Sequence, residues 1–202
     1  MTKIDATTAA RVKALLDIES TDTTYDTVLG TIISAVSHRF ENFMDRELLQ
    51  RARVEEYNIP PRTQTVFLRQ YPVTTITSVK TAGDWDFSTA TAFDSDQYHV
   101  DEENGLLYLR FHPISGAKVM QVSYTAGFAT TTTNLISSYP AIAFAADTQT
   151  VAAFRRRDTP QGKAMSLHGS SMSYESPLQL VPDVVETLTP YRRLRFGAAS
   201  LS

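Results

Sequence analysis

The longest regular pattern of apolar positions runs from Tyr25 to Met44. Apolar residues recur there at steps of three and four, the period of one face of an α-helix. The apolar stripe consists of Tyr25, Val28, Leu29, Ile32, Ile33, Val36, Phe40, Phe43 and Met44. Polar residues, Ser37 among them, fall mainly on the opposite face. The pattern predicts a long amphipathic helix, preceded by a shorter helix over about Ala6 to Ile18.

From about Arg51 the period of the apolar positions changes to two, which is typical of β-strands. The predicted strands are Val54–Ile59, Thr65–Arg69, Val73–Lys80, Gln97–Asp101, Leu106–Phe111 and Lys118–Tyr124. Asn104-Gly105 separates two of them and is a strong hairpin signal. Tyr71-Pro72 interrupts the segment LRQYPVTTITSV, and proline cannot donate to a sheet ladder. We therefore interpret that segment as two strands joined by a corner.

The chain after Tyr124 combines a loop-like threonine run with three further predicted segments. The stretch TAGFATTTTNLISSYP predicts a loop, and a helix is expected from about Tyr139 to Arg157. Residues 158–176 carry no apolar stripe and predict a long polar loop or mobile hairpin. A short helix is expected to begin at Val181, because proline suits the first turn of a helix. The fold class is α+β, comprising an N-terminal helix pair, a central short-stranded β region, a later helix, the polar loop and a short C-terminal helix.

Three divisions of the chain follow from this order of elements. We expect a core over residues 1–157, with the β region at about 51–125. An extended flexible loop or hairpin is expected over residues 158–180, and a C-terminal helix and tail over 181–202.

Composition and charge narrow the range of functions that the protein can have. The 202 residues carry a net charge of −3 and no cysteine, so disulfides and cysteine-ligated metals are excluded. A basic excess, usual in proteins that bind nucleic acid non-specifically, is missing. The N-terminus lacks the apolar core of a signal peptide, and no run is long enough to span a bilayer. These features predict a soluble intracellular protein.

No familiar catalytic or cofactor motif is present. The sequence contains no G-x-G-x-x-G, P-loop, H-E-x-x-H or G-x-S-x-G signature. The scattered histidines are His38, His99, His112 and His168. No cofactor, metal or catalytic residue is therefore expected, and a binding or structural role is favoured over catalysis.

Arginines concentrate at two places, residues 155–157 and residues 192–195. They are either solvated helix ends or contacts to an anionic partner. Tyr191 and Phe196 accompany the second cluster, and tyrosine with arginine is favoured at interface hot spots.

Six segments in this order resemble the head–tail connector proteins of tailed bacteriophages, also called adaptor or head-completion proteins. The segments are VKALLDI (12–18), RFENFMDREL (39–48), LRQYPVTTITSV (68–79), YHVDEENGLLYL (98–109), VSYTAGF (122–128) and PDVVETLTPYRR (182–193). The resemblance implies a structural virion protein of the neck, made in the host cytoplasm, with no catalytic activity and no membrane contact. It also implies a ring, typically of twelve copies, that docks below the portal protein. Such a ring extends the channel through which genomic DNA passes without specific binding, and it receives the next neck or tail protein.

The resemblance places portal or inter-subunit contacts in the C-terminal segment and the long loop. The candidate interface residues are Tyr191, Arg192, Arg193, Arg195 and Phe196. The candidate assembly-loop residues are Lys163, Met165, His168, Met172 and Tyr174. Two alternatives stay open: another neck or tail component, such as a stopper or tail terminator, and an enzyme acting on nucleic acid or cell wall through His168.

Overall fold

The computed structural model describes residues 3–157, 166–167, 170–171 and 179–193. Their contacts form two compact units, one drawn from the described residues within 1–45 and 131–202 and the other from residues 46–130. We call them the helical unit and the β unit. The predicted divisions at residues 157 and 180 stay predictions.

The helical unit is assembled around one helix, α4. Its helices are α1 (Ala9–Leu15), α2 (Asp26–Met44), α3 (Thr132–Ser138), α4 (Pro140–Arg156) and α5 (Pro182–Leu188), followed by a 3-10 turn at Thr189–Tyr191. The other helices all contact α4, and this explains why so much of its surface is buried. Two short antiparallel strands, β7 (Ser166–Leu167) and β8 (Ser170–Ser171), pair with each other.

Most of the predicted stripe of α2 is confirmed as the buried face of that helix, but Val28, which was also assigned to the stripe, is 41% exposed. Leu29, Ile33, Val36, Phe40 and Met44 are all at most 3% exposed. The prediction that Ser37 lies on the polar face is wrong, because Ser37 is only 4% exposed. Its hydroxyl donates to the Ile33 carbonyl at 2.8 Å and accepts from the Ala6 amide at 2.8 Å, so burial leaves no unpaired polar group.

The threonine run was expected to be a loop, and for Thr132–Ser138 that prediction is wrong because the segment forms α3. The Thr131 side chain accepts a hydrogen bond from the Asn134 amide at 3.2 Å and so caps the helix. Leu135 is the buried residue of α3. A seven-residue helix with one buried side chain has too few turns to show a helical period.

The β unit contains two antiparallel sheets of three strands, ordered β1-β6-β3 and β2-β5-β4. The strands are β1 (Arg51–Ile59), β2 (Thr65–Phe67), β3 (Val73–Thr81), β4 (Tyr98–Asp101), β5 (Leu106–Leu109) and β6 (Gly116–Ala126). One hydrophobic core draws on both sheets and includes Val66, Val79, Leu107, Met120 and Val122. The predicted α+β class is therefore confirmed.

The Tyr71-Pro72 corner has a cis peptide bond and lies between β2 and β3, which confirms a corner at this place. The prediction that LRQYPVTTITSV contains two strands is wrong, because β2 already ends at Phe67 and only β3 lies within the segment. The guanidinium of Arg46 donates to the Tyr71 carbonyl from both Nε, at 3.0 Å, and Nη2. The same guanidinium lies 3.8 Å from the Tyr71 ring centroid and 4.2 Å from that of Phe128. Arg46 is only 6% exposed, so these contacts replace its lost hydration.

Two buried tyrosine hydroxyls hold the other side of the corner. Tyr124 donates to the Glu55 carboxylate at 2.8 Å, and Tyr57 donates to the same oxygen at 2.5 Å. The hydroxyls also accept from backbone amides of the corner, Tyr57 from Arg69 at 3.3 Å and Tyr124 from Gln70 at 3.2 Å. The corner is thus fixed by β1 and β6 rather than by its own turn alone.

Among the described residues, no helix has both the length and the apolar character needed to cross a bilayer.

Candidate functional site

Exposed large apolar side chains are the first guide to contact surfaces on a protein with no recognisable catalytic motif. In the described part of the chain they are Leu15, Val28, Val54, Phe67, Trp85, Tyr108, Ile114 and Phe144. Single exposed residues need no explanation, so the informative cases are those that lie together or beside complementary charge. Three places stand out: a sheet face where exposed aromatic residues lie together, a groove beside the arginines at 155–157, and the C-terminal segment predicted from the sequence.

The first place is the outer face of the β2-β5-β4 sheet. Strand register puts Phe67 opposite Leu106, and His99 opposite Tyr108, on one side of the sheet. Val66 and Leu107 point to the other side and are buried. We call the solvent side, formed by Phe67, His99, Leu106 and Tyr108, the outer sheet face.

The outer sheet face is aromatic and accessible. Phe67 is 45% exposed and Tyr108 is 41% exposed. The His99 and Tyr108 rings stack at 20° with their centroids 6.4 Å apart. Rigid aromatic side chains bury large areas at little entropic cost, which is why they are enriched in protein interfaces. This face can therefore serve as a protein contact.

The second place is a groove at the C-terminal end of α4. It has a volume of about 360 Å³ and is lined by Leu16, Ile18, Tyr25, Phe154, Arg155 and Arg157. The Tyr25 and Phe154 rings meet edge to face, with centroids 5.6 Å apart. The Arg157 guanidinium carbon lies 3.7 Å from the Phe154 centroid and 4.9 Å from the Tyr25 centroid. We call this feature the arginine–aromatic groove.

The third place is the C-terminal segment predicted to be an interface. Gln149 holds the start of this segment: its amide nitrogen donates to the Gln179 carbonyl at 3.0 Å, and its amide oxygen accepts from the Val181 amide at 2.9 Å. Val184 and Leu188 of α5 are buried. The segment is therefore packed against α4 as part of the helical unit.

The structure brings three predicted interface residues into contact with the C-terminal end of α2 and with Tyr139, the residue that precedes α4. The Arg193 amide donates to the Met44 carbonyl at 2.7 Å, and its guanidinium lies 3.6 Å from the Asp45 carboxylate. The Arg192 guanidinium carbon lies 5.1 Å from the Phe43 ring centroid. Tyr191 meets the ring of Tyr139 edge to face at 6.4 Å. Each of these side chains keeps some exposed surface, so the segment can contact a partner while it is held by its own unit.

The remaining predicted residues lie outside the described ranges. They are Lys163, Met165, His168, Met172, Tyr174, Arg195 and Phe196. Their proposed roles stay predictions, as do those of Tyr191, Arg192 and Arg193.

Sequence reasoning did not single out the outer sheet face or the arginine–aromatic groove. Phe67 and Tyr108 sit in strands that are apolar on both faces, so alternation alone did not show which side faces solvent. The groove needs residues from α1, α2 and α4, which no local pattern brings together.

Among the residues whose placement is described, no group of three or more His, Cys, Asp or Glu side chains is positioned to hold a metal ion. His38 lies at the exposed side of α2, where its Nδ1 is 2.8 Å from the Lys3 ammonium and 3.7 Å from Glu41.

An aromatic sheet face and a basic groove are features of a protein that works through contacts with other proteins. The sequence model of a family described as "Head completion protein" matches residues 5–194. The chain belongs to this family. Its role is accordingly structural, at the junction between head and tail of a phage-type particle. The resemblance found in the sequence is confirmed.

Solved structures of gene transfer agent (GTA) particles contain chains with the same fold. A chain in the neck of an empty GTA particle, computed with C6 symmetry, aligns with a TM-score of 0.58 and 16% identity, over 93% of this chain and 89% of that one. A chain in the virion of a native GTA particle aligns with a TM-score of 0.60 and 16% identity, over 97% and 95%. A chain in the neck of a native GTA particle, computed with C12 symmetry, aligns with a TM-score of 0.54 and 14% identity, over 97% and 94%. The curated proteins compared with the sequence include no significant match.

Proposed function

We propose that the protein is a head–tail connector that forms a ring in the neck, between the portal protein and the next neck or tail protein. The family match carries this proposal, because it extends over residues 5–194 and so covers both the helical unit and the β unit. The shared fold with chains of GTA necks supports the same position in the particle.

The ring is proposed to contain twelve copies. A ring of identical subunits needs a heterologous interface, in which one patch of each copy binds a different patch of its neighbour. The arginine–aromatic groove is a candidate for one of these two patches, and its partner would be a different surface on the neighbouring copy. The C12 symmetry used for one GTA neck is compatible with twelve copies, although it describes that particle.

Portal binding is proposed for the C-terminal segment. Tyr191 and Arg192 combine an aromatic ring with a guanidinium at an accessible position, a pairing favoured at hot spots. Contact with the portal or a neighbouring copy is proposed in addition for Arg193, Arg195 and Phe196 and for the loop residues Lys163, Met165, His168, Met172 and Tyr174. The next neck or tail protein would bind the opposite side of the ring.

Genomic DNA is proposed to pass through the ring without specific binding. Each phosphate neutralised by lysine or arginine adds affinity through counterion release, so a transport channel is better without a basic lining. The net charge of −3 suits such a channel. We propose that assembly alone is the function and that no catalytic step is involved.

The position in the particle is tested by cryo-electron microscopy of heads from a mutant lacking this protein. Adding the purified protein should place one ring of density directly below the portal and restore attachment of tails. Added protein that leaves the portal bare, with tails still unable to attach, would overturn the proposal.

A further inference from the structure

We infer that the arginine–aromatic groove receives the acidic loop around Trp85 from a second copy of the chain, and that this contact joins neighbouring subunits of the ring. The inference rests on the proposed connector function and deepens it by naming one pair of complementary surfaces. The loop consists of Asp84, Trp85 and Asp86 and belongs to the β unit, whereas the groove belongs to the helical unit.

The groove selects an aromatic side chain with an acidic neighbour. Its floor continues a core cluster that contains Phe154, with Leu16, Ile18 and Tyr25 packed against it. The volume of about 360 Å³ lies in the range of pockets that accept a bulky apolar group. Arg155 is exposed, and its guanidinium can donate to a carboxylate. The Arg157 guanidinium, stacked on the Phe154 and Tyr25 rings, adds positive charge beside the groove.

The loop presents an aromatic side chain to solvent. Trp85 is 69% exposed, the highest value among the exposed large apolar side chains of the described residues. Its indole N–H donates to the Ala117 carbonyl at 2.9 Å, so the polar edge is anchored while the ring stays accessible. The φ angle of Trp85 is +64°, a conformation that bulky residues rarely adopt. Such backbone strain concentrates at sites that bind or recognise a partner.

The carboxylates on both sides of Trp85 match the charge of the groove. Asp86 accepts from the Ser88 amide at 2.9 Å and from the Ser88 hydroxyl at 2.6 Å, and these bonds lower the pKa of Asp86. Asp84 accepts from the Asp86 amide at 3.2 Å. The loop is therefore an ordered acidic tip with a tryptophan at its centre.

A second copy of the chain is the occupant that these features favour. Of the exposed large apolar residues in the described ranges, Trp85 alone has a carboxylate on both sides in the sequence. Groove and loop are different patches, so their contact is heterologous and repeats from copy to copy until the ring closes. Opposite charges at such a contact also fix its register and disfavour wrong pairings.

The first test uses the absence of natural cysteine. Chains carrying Asp86→Cys are mixed with mass-tagged chains carrying Arg155→Cys, allowed to assemble on purified portal rings, and oxidised. A disulfide between the two kinds of chain is expected in the assembled fraction. Ile114→Cys replaces Asp86→Cys in the matched control, because Ile114 is also exposed in the β unit and has no acidic neighbour; that pair should give little mixed disulfide.

The second test measures ring formation by native mass spectrometry. Trp85→Ala should weaken association between copies about tenfold or more, as expected for a hot-spot tryptophan. Asp86→Arg and Arg155→Asp should each weaken it, and combining them in one chain should restore association to within about threefold of the unsubstituted chain, because the two changes are coupled. Circular dichroism of each variant monitors folding. If Trp85→Ala disturbs the loop, Trp85→Phe serves as a second variant, because it keeps an aromatic ring at this position.

The outcomes separate this inference from the proposed function. Normal rings on the portal with Trp85→Ala, no mixed disulfide and no charge-swap rescue would overturn the inference and leave the connector function standing. An unsubstituted chain that binds no portal and forms no ring would overturn the connector function and the inference with it.

Discussion

Arg11 and Asp147 form an ion pair that ties α1 to α4. Nη2 and Nε of Arg11 lie 2.6 Å and 3.1 Å from the same carboxylate oxygen. The second carboxylate oxygen of Asp147 accepts from the Thr7 hydroxyl. Asp147 is 1% exposed, so these partners replace the water that its charge loses on folding. The helix at the centre of the helical unit thus depends on a polar anchor from the N-terminal segment.

Arg11→Ala should lower the free energy of unfolding by about 1–3 kcal/mol, because it removes charged donors from a buried carboxylate. The value stays below that of a fully buried pair because the Arg11 side chain is 42% exposed. Urea denaturation measures the change. Lys3→Ala, which removes an exposed partner of Glu41, is the control and should cost less than about 0.5 kcal/mol. Equal losses for the two variants would contradict the role given to Asp147.

Alanine at two glycines should have opposite effects on stability. Gly127 has a φ of +134°, and a Cβ there would lie 2.5 Å from the Gln50 Cα and from the Leu49 carbonyl oxygen. Gly127→Ala should therefore destabilise the protein by more than about 2 kcal/mol. Gly30 lies within α2, and a Cβ there meets nothing within 4 Å. Gly30→Ala should stabilise the protein by about 0.5–1 kcal/mol. Denaturant unfolding that shows the same sign for both would refute this prediction.

Features set by neighbouring residues in the chain can be predicted from the sequence, whereas contacts between distant residues cannot. The stripe of α2 and the hairpin at Asn104-Gly105 are local patterns, and the structure confirms the hairpin and most of the stripe. The pairing of β6 with both β1 and β3, and the approach of Gly127 to Gln50, join residues far apart in the chain. Local periodicity carries no information about such contacts.

The burial of certain polar residues also could not be predicted from the sequence. A charged residue such as Arg46 is normally expected at the surface, yet it is buried where the Tyr71 carbonyl and two aromatic rings receive its guanidinium. The same applies to Asp147 and Ser37, whose partners are supplied by the tertiary fold.

Stability should fall at alkaline pH because two buried tyrosines resist ionisation. Burial is the largest cause that raises the pKa of Tyr57, and burial also raises the pKa of Tyr124 to about 12. The pKa of an unfolded tyrosine is about 10. Because the folded protein holds the tyrosine proton more tightly than the unfolded chain, its full stability is present below about pH 10. That stability is lost as the pH rises toward about 12, where the unfolded tyrosine is ionised. Urea unfolding at a series of pH values measures this loss.

Tyr124→Phe isolates the contribution of one hydroxyl. The variant should be less stable at neutral pH by about 1 kcal/mol, because the Gln70 amide and Glu55 each lose a partner. Its stability should then fall less steeply above pH 10. Tyr108→Phe is the matched control, since Tyr108 is exposed and should keep the original pH dependence. An alkaline slope unchanged in Tyr124→Phe would show that this hydroxyl is not responsible.

The C-terminal arginines provide a test of portal docking. Arg192→Glu with Arg193→Glu should weaken binding to portal rings about tenfold or more, if these side chains contact the portal as proposed. The fold should change little, because the Arg193–Asp45 pair is partly exposed and such pairs contribute at most about 1 kcal/mol. Arg62→Glu with Arg110→Glu makes the same charge change on exposed residues of the β unit and is the control. Binding that is equally weak in both double variants would mean that overall charge, rather than the C-terminal segment, governs docking.

The candidate site was predictable only in part. The combination of tyrosine and arginine at residues 191–193 pointed to the C-terminal segment as a contact surface. The structure shows that this segment packs within the helical unit while part of its surface stays exposed to solvent. The arginine–aromatic groove was not predicted, because Tyr25 was interpreted as an ordinary member of the α2 stripe and Phe154 lies far along the chain in another helix. Their meeting beside Arg157 exists only in the tertiary structure.

The central claim, that the protein works as a connector ring on the portal, is tested most directly by native mass spectrometry of the purified chain with purified portal rings. The account predicts a complex with a fixed number of copies per portal, expected to be twelve, and no smaller complexes once binding is saturated. A chain that remains monomeric and leaves the portal unoccupied at every concentration would contradict it.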